Sequence, residues 1–187
     1  MIELSKSKQI IMSKTQLKKE LQSLTKEHLI EQIMELYDSY KPVKDYYQTF
    51  LNPENIQELF AKYKAVIVNE FYPDTKSWNP KTRFSVAKKA IADFGALKPP
   101  TKLLADLMVT LAENASKFTY DYGDMTEQYY NSTVSNFERA LKYLQKEGLL
   151  DDFKLRCEDC LKYAEPCGYG FPDEMDEVYY DYYPEEE

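Results

Sequence analysis

The sequence predicts an all-α protein, a bundle of about eight or nine helices packed as helical hairpins. Three observations carry this. The 187-residue chain holds only five glycines and is rich in Leu, Lys, Glu, Ala and Tyr, a composition that favours helix over sheet. Apolar residues recur at three- and four-residue intervals along most of its length. No stretch alternates apolar and polar residues as a half-buried strand does. Short connections between successive stripes make neighbouring helices antiparallel. A HEAT-like superhelical stacking of helix pairs is the alternative, although no strict internal repeat is present.

The elements follow in order. Residues 1–12 form a lead segment of little periodicity, and Met12 offers a second plausible start. Ser13 can cap a helix carrying Leu17, Leu21 and Leu24, and Thr25 can cap the next. There Leu29, Ile30, Ile33, Met34, Tyr37 and Tyr40 make a helical stripe that Pro42 breaks. A shorter element covers Val43–Leu51. Asn52 and Pro53 are a cap followed by proline at a first helical position, opening a helix through Ile56, Leu59, Tyr63, Ile67 and Phe71. Residues 73–82 form a loop. A helix over about Arg83–Phe94 has Gly95 just past its end. Another follows Pro99 and Pro100 and carries Leu103, Leu107, Leu111 and Phe118. Helices over about Thr126–Glu147 and Leu150–Ala164 end at Gly148 and before Pro166. Gly168, Tyr169 and Gly170 form a turn, and Pro172 can start a last helix. The domain reading is thus a lead over 1–12, a helical domain over 13–165 and a C-terminal segment over 166–187.

That last segment holds the acidity. The chain has 32 acidic and 24 basic residues, and the eight carboxylates after Pro172 account for the whole excess. Four tyrosines (Tyr179, Tyr180, Tyr182, Tyr183) interleave with them. Phe171, Met175, Val178, Tyr179 and Tyr182 share one helix face, with most carboxylates on the other. Such a face suits a groove on a protein partner, on a second copy, or on the chain's own body. Partner contact through this segment is the leading functional expectation.

A rival comes from Lys76, Lys81, Arg83, Lys88 and Lys89, a run with no acid between Thr75 and Ala92. With Trp78 beside it, this segment could hold phosphates or stack a base. A net charge of −8 weighs against nucleic acid, because such domains usually carry a basic excess.

Cys157, Cys160 and Cys167 open with zinc-like spacing, but no fourth ligand follows and His28 is remote. Phe153, Cys157, Cys160, Leu161 and Ala164 fall on one helix face, so the thiols read as small apolar core residues and no metal is expected. Three cysteines without an export signal fit reduced thiols in a cytoplasm. The longest apolar run, Ala65–Val68, is far short of a membrane span. Catalytic and cofactor residues are not identifiable. A single histidine removes most acid–base and triad schemes, and no phosphate-cradling glycine loop occurs. The carboxylate pairs Asp151/Asp152 and Glu158/Asp159 point about 100° apart on a helix.

Two stretches resemble a known family. One joins Ser13, Lys14 and Leu17–Leu21 to Leu29, Gln32–Tyr37 and Lys44–Tyr47; the other is Arg83–Ile91. Together they resemble the bacterial family named domain of unknown function 6155, over about residues 12–165. The resemblance implies a small, mostly helical cytoplasmic protein and no catalytic residues.

Overall fold

The computed structural model describes residues 12–74 and 78–184. Among them are nine α-helices: α1 Lys14–Ser23, α2 Lys26–Ser39, α3 Lys41–Leu51, α4 Ile56–Phe71, α5 Phe84–Ala96, α6 Thr101–Tyr122, α7 Glu127–Glu147, α8 Leu150–Ala164 and α9 Phe171–Tyr180. No strand occurs among the described residues, so the all-α bundle is confirmed. The lead over residues 1–11 lies outside the described residues.

Many helix ends sit where the sequence signals place them. Ser13 and Gln16 form a reciprocal capping box, and Thr25 and Thr126 accept hydrogen bonds from the amides of His28 and Tyr129. Each satisfies a donor that the first helical turn leaves over. Gly148 ends α7 in the left-handed conformation at φ 68°, which glycine adopts without steric cost. Three ends differ from expectation. Pro42 lies inside the first turn of α3, where proline loses no hydrogen bond. The cap Asn52 instead donates its side-chain amide to the Gln48 carbonyl, and Pro53–Asn55 is a 3₁₀ turn before α4. Gly95 is not past a helix end but inside α5, where a Cβ would sit 3.5 Å from Leu104 of α6.

The chain divides into two compact units, residues 1–47 and 48–187. In the first, α1 and α2 bury no residue. The second is built around α6, which packs against α4, α5, α7 and α8; α9 packs on α7 and α8. Its core includes Ile67, Phe71, Phe94, Leu107, Leu111, Phe137 and Leu141.

Two polar clusters fix this unit. Glu70 of α4 organises the turn before α5. Its backbone carbonyl accepts from the amides of Lys81 (3.0 Å) and Thr82 (2.8 Å), and its carboxylate accepts from the backbone amide, Nε and Nη2 of Arg83 at 3.1, 3.0 and 2.7 Å. These bonds hold Thr82, a β-branched residue, at φ 50°, a conformation such residues rarely adopt. Hydrogen bonding from Arg83 holds the Glu70 carboxyl below its usual range despite its burial. Arg156 of α8 joins the second cluster. It donates to Asp106 (2.8 Å), Thr110 (3.1 Å) and Glu113 (3.1 Å through Nε) on α6, and Lys64 of α4 reaches Asp106 at 2.7 Å.

Candidate functional site

Two cations of the basic segment are neutralised from outside its own span. Arg83 is held by Glu70 as described, and Lys89 pairs with Asp93 at 2.9 Å. Both acids flank the run, which is why an acid-free window did not reveal them. Lys76 lies outside the described residues. Lys81 and Lys88 are exposed, and neither forms an ion pair among the described residues. Trp78 is half exposed and lies against Tyr122 and Phe118, with ring centroids 4.6 and 6.3 Å apart. Its indole therefore rests on the aromatic edge of the core. The structure does not gather Lys81, Arg83, Lys88, Lys89 and Trp78 into one free cationic surface. Lys88 instead shares a cleft with Arg139 of α7, a residue the sequence pattern did not single out.

The apolar face of the C-terminal segment is taken up by its own chain. Phe171, Met175 and Tyr179 are buried in the core, while Val178 and Tyr182 are half-buried against it. Phe171 stacks on Tyr130 of α7, centroids 4.5 Å apart. The Tyr130 hydroxyl donates to Asp124 at 2.9 Å and accepts from the Met125 amide at 3.0 Å, and Asp124 also accepts from the Gly168 amide at 3.0 Å. The turn before α7 and the turn before α9 are thus tied together. Tyr183 closes the other end by donating to the Leu150 carbonyl at 2.7 Å. Burial, reinforced by the Glu158 carboxylate, pushes the Tyr179 phenol up to about 12. Of the three occupants open to this face from sequence, the one observed is the body of the same chain.

A family model described as a family of unknown function, DUF6155, matches residues 12–180. The chain belongs to this family. The match runs past residue 165 and through α9. No curated protein and no solved structure matches the chain.

In this DUF6155 protein Cys157 and Cys160 are fully buried on the core face of α8. Cys167 lies 3.2 Å from the Thr119 hydroxyl. No group of three or more potential metal ligands occurs among the described residues. Burial pushes the Cys157 thiol up to about 11 and also raises Cys160 well above its ordinary value. Both are therefore poor nucleophiles in the folded state. A colorimetric thiol reagent at neutral pH is expected to modify only Cys167 in the native protein, and all three cysteines once denaturant is added. Rapid reaction of all three in the folded protein would contradict the buried assignment.

No helix among the described residues is long and apolar enough to cross a membrane. One surface feature was not recognised from sequence. Ile30, Ile33, Met34 and Leu36 of α2 and its C-cap residue Tyr40 are all exposed, as is Leu17 of α1 in the same unit. Periodicity marks the stripe on α2 but carries no sign that these side chains stay exposed.

Proposed function

We propose that this DUF6155 protein is an interaction module without chemistry of its own, and that its contact element is the N-terminal helical unit. The observation that carries this is the exposed apolar stripe of α2. Soluble chains rarely leave contiguous apolar side chains in water unless they serve contact. The charges beside it indicate a second copy as occupant. Lys14, Lys18 and Lys19 make α1 basic, whereas Glu27, Glu31, Glu35 and Asp38 make α2 acidic. A basic and an acidic helix in one unit are self-complementary about a two-fold axis, α1 of each copy facing α2 of the other. On the C-terminal face, the expected contact element, Val178 and Tyr182 remain half-buried at the rim.

Sedimentation velocity tests this. The full chain is expected to sediment as a dimer at about 10 µM, corresponding to micromolar affinity or tighter, and to dissociate as salt is raised. Ile33→Glu combined with Met34→Lys is expected to give a monomer with unchanged helical content. A wild-type monomer at every concentration removes the proposal.

A further inference from the structure

A cleft opens where α5, α6 and α7 meet. Ile91 of α5 with Met108 and Leu111 of α6 form its apolar lining, and it encloses about 120 Å³. That is the volume of roughly four waters in the liquid, room for a group the size of an isobutyl chain. Lys88 and Arg139 line the same cleft. Among the described residues neither has an ion-pair partner, in contrast to Arg83, Lys89 and Arg156. Asn136, only 8% exposed, lines the cleft together with the apolar residues and the cations. One of its Nδ2 hydrogens goes to the Ser132 carbonyl at 2.6 Å. Its side chain makes no other hydrogen bond among the described residues, leaving an acceptor and a donor for whatever enters.

The cleft continues along α7 past Ser132, Asn131 and Gln128 to Glu127. Glu127 is nine residues from Asn136, about 13 Å along the helix, and no ion pair joins it to Lys88 or Arg139 among the described residues. Two unpaired cations beside an apolar pocket select one ligand chemistry. Inorganic phosphate has no use for the apolar lining, and a nucleic acid strand needs a longer run of free cations.

The geometry points to a binding site for a small carboxylate bearing one short branched apolar group. The apolar group fills the space over Ile91, Met108 and Leu111, and the carboxylate lies between Lys88 and Arg139. Two sources share this chemistry: a free branched aliphatic acid, and the C-terminal carboxylate of a peptide ending in leucine. The second would run its backbone past the amides of Gln128 and Asn131.

The test is an NMR titration of the full chain with four probes. These are 4-methylpentanoate, an N-acetylated tripeptide ending in leucine, the same tripeptide as its C-terminal amide, and inorganic phosphate. The free acid, the free-carboxylate tripeptide, or both are expected to bind with Kd on the order of 1 mM or tighter, as suits so few contact atoms. Binding of the tripeptide alone identifies a chain terminus as the source, and binding of the acid alone a free acid. The double variant Lys88→Gln, Arg139→Gln replaces exposed side chains, so the fold is retained and binding weakens about tenfold or more. The proposal is overturned if neither carboxylate binds at about 10 mM. It also falls if the amide or phosphate binds as well as the free carboxylates, or if the double variant binds unchanged.

Discussion

Phe171→Ala lowers the unfolding free energy by about 3–5 kcal/mol, the cost usual for deleting a fully buried aromatic ring. Phe171 is 1% exposed and its ring lies on Tyr130, so the substitution removes both the buried area and the stacking partner of a side chain that anchors two turns. Urea unfolding followed by circular dichroism measures the loss. The loss is expected to be the same at low and at high protein concentration, because the ring is buried within one chain. A substitution that leaves stability unchanged but abolishes self-association would instead make the C-terminal face an intermolecular contact. It would displace the N-terminal unit from the role proposed for it.

Arg156→Met is the second large effect, at about 2–4 kcal/mol. Removing one partner of a desolvated ion pair strands the other, which ordinarily costs 3–5 kcal/mol. The Arg156 side chain retains 27% exposure, so the remaining carboxylates are partly solvated and the lower figure applies. Adding Glu113→Gln to this variant is expected to restore about 1 kcal/mol, since it removes a carboxylate that the first substitution left without its guanidinium. Denaturant midpoints for both single variants and the double variant measure the coupling. Strict additivity would mean that Arg156 and Glu113 do not act together. The arginine contributes more than one pair: through Asp106 it links α6 and α8 to Lys64 of α4.

The fold was legible where the signals are local. Ser13, Thr25, Thr126 and Gly148 mark helix ends because a cap acts on the amides and carbonyls of its own turn. Gly95 misled for the same reason. A glycine near the end of a stripe reads as a terminator, whereas here it lies beside Leu104 on another helix. The candidate sites were less legible because their partners are remote in sequence. Glu70 neutralises Arg83 from the preceding helix, and Arg139 reaches Lys88's cleft from fifty-one residues away. Helices α2 and α9 show the limit most clearly. Both carry apolar residues at three- and four-residue intervals, yet Ile30 and Met34 are half exposed while Met175 and Tyr179 are in the core. Periodicity says which side of a helix is apolar. What covers that side depends on the rest of the chain.

The depth at which α8 hides its sulfurs also bears on the lifetime of the molecule. A chain that opens briefly and closes again is normally unmarked by the event. Here an opened chain presents Cys157 and Cys160 as ordinary thiols, and an electrophile or oxidant that reaches either one adds atoms to a site with 0% exposure. The tagged chain cannot close over them, because a packed interior does not accommodate extra volume. An opening in which a thiol reacts before the chain recloses is thus a one-way step, and where modification outpaces reclosing the working life of the protein is set by how often it opens.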